Sequence, residues 1–275
     1  MKKYFKIMKK YLYIAAFVVL FTACNSEEPS FNTISVASTR TEHGMYEECT
    51  NLVPPVDAYI YPAYPGTDAW AEFHSHYESM DEIIQALLPS NELAKQLSTE
   101  SLIHAYIDFP FSVGFTQFQK DIIDYQFMEY SICRELKQRE DTPSVLIEMY
   151  ERLQLKGCVQ GTAVHTALLR IIAVPEIANK MNEQQTKTFV GMVLAKLKVC
   201  KDSYDTNTYL TNKLYSAFIL GRIMKSANFA PLIDAMKVDS NMTTFVNIWN
   251  NPMEIESESV DNIINFAEQF ISDEL

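Results

Sequence analysis

After Gly66, apolar residues recur at spacings of three and four along most of the chain, the spacing that places them on one face of an α-helix. The pattern predicts helices over about residues 114–139, 159–173, 183–201, 206–227 and 259–273. Thr67, Ser98 and Asp141 each stand directly before such a stretch, where a short polar side chain can cap the first turn. No stretch alternates apolar and polar residues between hairpin turns, as strands would. The sequence therefore predicts an all-α fold.

A short motif recurs within the helical region. Residues 93–100 (LAKQLSTE) align with residues 177–184 (IANKMNEQ), and residues 231–236 followed by Asp239 form a partial third copy. Each copy reads as a short apolar helix and a cap residue that turns the chain into the next helix. The offsets are unequal, 84 residues and then about 55. This pattern favours antiparallel helix pairs stacked as an irregular solenoid that resembles HEAT-type arrays, and a compact multi-helix bundle is the alternative.

Residues 51–66 lack helical periodicity and contain four prolines, which bias the preceding residues toward extended geometry. We expect an extended Pro/Tyr strap over 51–66, between a flexible tether over 24–50 and a single all-helical domain over 67–275. The strap and the residues after it supply four aromatic side chains that could stack on a sugar ring, namely Tyr59, Tyr61, Tyr64 and Trp70. Packing of the strap on the helical body is the favoured alternative, because sugar platforms favour Trp and the chain has only two.

The first 24 residues, MKKYFKIMKKYLYIAAFVVLFTAC, have a basic start, an apolar stretch and small residues before a cysteine. The apolar stretch is about half as long as the roughly 20 residues that a helix needs to cross a bilayer. The ending LFTAC resembles a lipobox, which implies a signal peptide over residues 1–23 and a lipid on Cys24. Phe21 departs from the Leu most common at its position, and an ordinary secretory signal is the alternative. Two or three acyl chains would anchor the protein stably in a membrane.

The cysteine is followed by Asn25 and then by a short polar and acidic segment, Ser26, Glu27 and Glu28. The segment resembles the short Ser/Lys-plus-acidic signal that sends Bacteroidetes-type lipoproteins to the outer face of the outer membrane. It implies a lipid-anchored protein exposed on the cell surface, and the periplasmic face is the alternative. The segments YPGTDAW (64–70), LSTESL (97–102) and DFP (108–110) resemble an uncharacterised family of helical lipoproteins over about residues 60–240. That resemblance implies export and a helical fold, and no activity.

The charge balance narrows the choice of partners. Five of the 23 basic residues lie in the first 23 positions, which hold no acidic residue, so the mature chain would carry 18 basic against 35 acidic residues, a net charge of −17. Such a surface repels phosphate backbones, and we expect no nucleic-acid partner. We expect the membrane, through the N-terminal lipid, and a protein or a glycan as partners.

Histidine and cysteine offer little chemistry. His74, His76 and Glu78 come nearest to a metal cluster, but residues two apart point to opposite sides of a helix, so we expect a solvated helix face and no metal or cofactor. His104 and His165 stand singly in apolar helices and read as core histidines. After Cys24, four cysteines remain, and they either form two disulfides or stay as buried free thiols, the favoured alternative: Cys49, Cys133, Cys158 and Cys200.

The chain contains no GxSxG, HExxH, P-loop or GxGxxG motif. We therefore expect a non-catalytic binding or scaffold protein at the cell envelope rather than an enzyme. A glycan-binding accessory of a nutrient-uptake system is the alternative, suggested by the surface signal and the tyrosines. A carboxylate-based enzyme is a third possibility, although no two acidic residues stand out by context.

Overall fold

A computed structural model of the chain describes residues 50–111, 120–155, 157, 159–247 and 256–272. These residues belong to one compact unit within Arg40–Leu275. Every regular element among them is a helix, so the prediction of an all-α fold is confirmed. The expected signal peptide, Cys24, the export signal and the tether up to residue 49 lie outside the described residues. In the described part of the chain, no helix is long and apolar enough to cross a membrane.

The helices follow one another with short connections. Their bounds are α1 Asp68–Ser75, α2 Met80–Leu87, α3 Asn91–Gln96, α4 Thr99–Ile107, α5 Lys120–Glu129, α6 Ser131–Gln138, α7 Thr142–Arg152, α8 Val159–Ile172, α9 Pro175–Ala178, α10 Glu183–Ser203, α11 Thr206–Ser226, α12 Ala230–Val238, α13 Ser240–Asn247 and α14 Ser257–Ser272. Before α1, residues 51–66 contain no helix.

The helices form a repeating unit of about forty residues. The cap residues before α4, α7 and α10 are Ser98, Asp141 and Asn182, which lie 43 and 41 residues apart. A fourth cap, Asp239, lies farther along because α10 and α11 are each 21 residues long. The motif offset of 84 residues therefore spans two units. The copy between them is ELKQREDT at 135–142, which the sequence comparison missed.

The units stack on one another. Helix α4 packs on α7 and α8, α7 packs on α10, α8 packs on α11, and both α10 and α11 pack on α14. Consecutive long helices such as α10 and α11 are joined by only two residues and contact each other, so they run antiparallel. Each layer thus buries the apolar face of the next, which is how stacked helix pairs build a continuous core.

Cations fix the register between layers. Arg139 donates to the Ala94 and Lys95 carbonyl oxygens at the end of α3, both at 3.2 Å. One unit later, the Lys180 ammonium lies 2.9–3.1 Å from three carbonyl oxygens at the end of α6. Lys196 donates to the Leu153 carbonyl at the end of α7, at 2.6 Å. These contacts satisfy carbonyls that a helix leaves unpaired at its C-terminus and place positive charge where the helix dipole favours it.

The prediction of one continuous helix over 114–139 is wrong. Two helices occupy the described part of this range, and the chain breaks between them at Tyr130, which is extended (φ −83°, ψ 129°). The Tyr130 ring is buried 5.4 Å from the Phe109 ring, and the Ser131 hydroxyl donates to the Pro89 carbonyl at 2.6 Å. Burying this ring and pairing this hydroxyl outweigh helix continuation, which periodicity alone cannot show. Residues 112–119 lie outside the described part.

The predicted caps are correct for two of the three helices. Thr67 accepts from the Trp70 amide at 3.2 Å, and Ser98 accepts from the Ser101 amide at 3.1 Å. Asp141 precedes α7 as predicted but makes no capping hydrogen bond. Its carboxylate instead accepts from the Thr99 hydroxyl of the previous layer, at 2.8 Å from both oxygens.

Candidate functional site

The tyrosines of the strap pack on the helical body. Tyr61 is 3% exposed, and its hydroxyl donates to the Ala105 carbonyl at 2.7 Å. The half-buried Tyr59 and Tyr64 donate to the Leu87 carbonyl and the Asp108 carboxylate, at 2.9 and 2.6 Å. Because the Tyr61 ring is covered, it cannot stack on a sugar unless the strap moves.

Trp70 joins the same aromatic cluster from α1. Its ring meets the Phe111 ring edge-on at 5.5 Å, and Phe111 meets Phe109, which in turn meets Tyr61 at 5.7 Å. The four residues expected to bind a sugar are thus brought into one cluster, but their rings meet mostly edge to face. This geometry is typical of packed aromatic side chains. It favours the packing role of the strap.

Asp57 fastens the strap to the start of α4. Its carboxylate accepts from the Ser98 amide at 2.7 Å, from the Ser98 hydroxyl at 3.1 Å and from the Ser101 hydroxyl. Burial raises the pKa of Asp57, but the hydrogen bonds from Ser101 and Ser98 outweigh burial and hold it below its ordinary value. Asp57 therefore joins the strap to the start of α4, where Thr99 also binds Asp141 of the next layer.

The described histidines divide between the surface and the core. His74 and His76 are exposed, and across the described residues no group of three or more His, Cys, Asp or Glu side chains could hold a metal ion. His165 is fully buried, with Nδ1 3.1 Å from the Tyr150 hydroxyl. Burial, and secondarily the Lys196 charge, lowers the pKa of His165 to about 3. His165 is therefore a neutral core residue at physiological pH.

The two cysteines that the structure describes are buried free thiols, Cys133 and Cys200. Burial raises the pKa of both, to about 11 for Cys200, so neither is a reactive thiolate at neutral pH. Cys49 and Cys158 lie outside the described residues.

A groove of about 600 Å³ opens between the start of α10, the turn that joins α11 to α12, and the end of α14. Its apolar lining includes Met181, Phe229 and Phe270, and the two phenylalanine rings meet edge to face at 5.2 Å. Glu183 and Lys187 of α10 line it as well, 3.8 Å apart. An apolar groove with a few polar groups suits an extended ligand that buries apolar side chains.

A tight turn between α11 and α12 forms one wall of this groove. The Phe229 amide donates to the Met224 carbonyl at 3.0 Å, and Asn228 takes the left-handed conformation at φ 56°. This is a Schellman-type helix end, for which Asn is the commonest choice after Gly. The turn holds Phe229 against Phe270, and Pro231 then allows α12 to begin at once.

A second pocket of about 310 Å³ lies against the last turn of α11. Ile172, Ala173, Ile223 and Val246 line it and are buried, while its polar lining consists of Arg222, Lys225, Ser226 and Asn247. The Lys225 ammonium donates to the Asn247 side-chain oxygen at 2.5 Å. Both charged lining residues of this pocket are cationic.

Gly221 brings two walls of this pocket together. A Cβ at this position would lie 2.7 Å from a methyl carbon of Val246 on α13. Because glycine has no Cβ, α11 and α13 can approach closely enough for Asn247 to reach Lys225. Sequence reasoning singled out none of the lining residues of either pocket. The available signal was the pair of cations three residues apart at the end of a predicted helix, which share one face.

A scan against protein-family models, a search of curated proteins and a search of solved structures each found no match. The resemblance of residues 60–240 to helical lipoproteins therefore depends on the quoted segments alone.

Proposed function

We propose that the chain is a non-catalytic binding scaffold at the cell envelope, anchored to the outer membrane by a lipid on Cys24 and exposed on the cell surface. In this proposal the helical stack docks an extended segment of a partner protein. The observation that carries it is the 600 Å³ groove, whose apolar lining is held in place by the layers on either side.

The chemistry of the groove supports a polypeptide ligand. The partly exposed Met181 and Phe229 offer contact area for apolar side chains, the buried Phe270 packs against Phe229, and methionine adapts its shape to different partners. The neighbouring Glu183 and Lys187 offer both signs of charge to a peptide backbone or polar side chain. Stacked helix pairs present continuous surfaces of this kind to protein ligands.

Crosslinking on intact cells tests this proposal. A tagged full chain is treated with a protein crosslinker, purified and analysed by mass spectrometry beside a Cys24→Ala variant. We expect one envelope protein to be recovered in stoichiometric amount with the wild type and lost with the variant. Recovery of polysaccharide alone, or turnover of an envelope polymer by the purified protein, would contradict a protein-binding scaffold.

A further inference from the structure

We propose that the 310 Å³ pocket beside α11 binds a carboxylate of an acidic polypeptide segment, with Arg222 and Lys225 as the recognition residues. This proposal deepens the proposed function, on which it rests, by stating the chemistry of the partner.

The burial and the contacts of the Arg222 guanidinium point to an anionic ligand. Arg222 is half-buried and lines the pocket, and its guanidinium carbon lies 5.4 Å from the centroid of the Phe218 ring. Among the described residues, no hydrogen bond or ion pair engages this guanidinium. The guanidinium is thus partly desolvated, and its five donors have no partner among the described residues. In this state it can bind an anionic ligand that presents two oxygens in one plane.

Lys225 supplies the second cation of the pocket. It lies three residues after Arg222, on the same face of α11, and its hydrogen bond to Asn247 directs the ammonium toward the pocket rim. The C-terminal ends of α11 and α13 favour a cation at this place even without ligand. The two cations therefore converge on one small volume in a chain whose net charge is −12.

The negative charges that act on Arg222 favour a carboxylate over a more highly charged anion. Burial lowers the pKa of Arg222, and the negative charges of Asp124 and Glu176 partly oppose this effect. The same two negative charges would repel a doubly charged phosphate more than a carboxylate. The aliphatic floor of the pocket, with Ile223 and Val246, suits an apolar residue next to the acid in the bound segment.

Fluorescence anisotropy of the full chain with two labelled peptides tests this inference. The probes are an amidated peptide Gly-Ser-Leu-Glu-Val-Glu and its twin with Gln in place of both Glu. We expect the acidic peptide to bind at least about tenfold more tightly than its twin, because a charge-assisted hydrogen bond strengthens binding by about that factor or more. Equal binding of the two peptides overturns the proposal.

The variants are Arg222→Met, which keeps the aliphatic packing over Phe218, and Lys225→Gln at an exposed position that folding tolerates. We expect each to weaken binding of the acidic peptide by about tenfold. The control is Lys237→Gln, which removes an exposed cation outside the pocket lining and should leave affinity unchanged. Unchanged affinity in both pocket variants, or preference for an acidic oligosaccharide over the peptide, overturns the assignment.

The outcome is separable from that of the scaffold proposal. If cells expressing Arg222→Met still yield the crosslinked partner and the peptides do not bind, this pocket inference fails and the scaffold stands. If the acidic peptide binds through Arg222 and no partner is recovered from cells, the scaffold proposal fails instead.

Discussion

At the scale of single residues, several polar side chains of the strap and the core have definite hydrogen-bond partners. The Tyr61 hydroxyl uses a helix carbonyl, the Asp57 carboxylate uses the start of α4, and the Tyr150 hydroxyl faces a ring nitrogen of His165. An unpaired polar group in such a place costs more than its hydrogen bond contributes. These residues therefore report on stability rather than on ligand binding.

Replacing Tyr61 by Phe removes its buried hydrogen bond to Ala105 and keeps the ring contacts. We expect the free energy of unfolding to fall by about 1–3 kcal/mol, measured by urea denaturation. Tyr59→Phe is the matched control, with a smaller expected loss because Tyr59 is only half-buried. If Tyr61→Phe leaves stability unchanged and weakens binding of a polysaccharide, the strap is a glycan platform instead.

Stability should fall on mild acidification because of two buried histidines. Burial lowers the pKa of His165 to about 3 and that of His104 to about 4. Below pH 6.5 the unfolded chain takes up these protons and the folded chain does not, so the free energy of unfolding falls as the pH drops toward 4. His165 alone should lower it by about 2 kcal/mol between pH 7 and pH 5.

Urea denaturation at pH 7, 6 and 5 measures this dependence. His165→Gln keeps a polar partner for Tyr150 and cannot titrate, so the pH dependence of its stability should be about half as steep as that of the wild type. An equal steepness in both proteins would show that His165 is not the group responsible.

At the scale of helices, periodicity and capping residues predicted most elements, and tertiary contacts decided the rest. The prediction over 206–227 matches α11 within one residue at its C-terminal end, because a long amphipathic helix with a strong Asp205 cap carries its own signal. The break at Tyr130 has no such signal, since it depends on contacts with Phe109 and Pro89, which lie in connecting segments elsewhere in the chain. The copy of the repeat at 135–142 was missed, because it has Asp141 where the recognised full copies have a Ser or Asn cap.

Two glycines in the long helices should respond in opposite directions to alanine. A methyl group at Gly221 would meet the buried, stiff Val246 side chain at 2.7 Å, so we expect Gly221→Ala to destabilise the protein by about 1–3 kcal/mol. At Gly191 of α10 nothing lies within 4 Å of the added Cβ. There we expect a gain of up to about 1 kcal/mol from helix propensity.

Thermal or urea unfolding of the two variants side by side provides the measurement. A stabilising Gly221→Ala would mean that α11 and α13 do not approach as closely as described. A destabilising Gly191→Ala would mean that another surface contacts this part of α10.

At the scale of the whole molecule, the stacked helices that build the core and their connections also form both pockets. The α11–α12 turn lines the groove with Asn228 and Phe229, and the last turn of α11 lines the pocket with Lys225 and Ser226. Sequence reasoning predicted the class of fold and favoured strap packing, because both follow from local patterns. It could not predict either pocket, since the lining residues come from segments far apart in the chain, such as Met181 and Phe270 at the groove and Ile172 and Val246 at the pocket, and their approach depends on stacking.

Site-specific photo-crosslinking on living cells tests whether the chain docks a partner protein through the groove. A photoreactive residue replaces the exposed Ala230 at the groove or, as the control, the exposed Glu268 of α14 outside its lining. We expect one protein adduct from position 230 and none from position 268. No adduct at 230, or the same adducts at both positions, would contradict it.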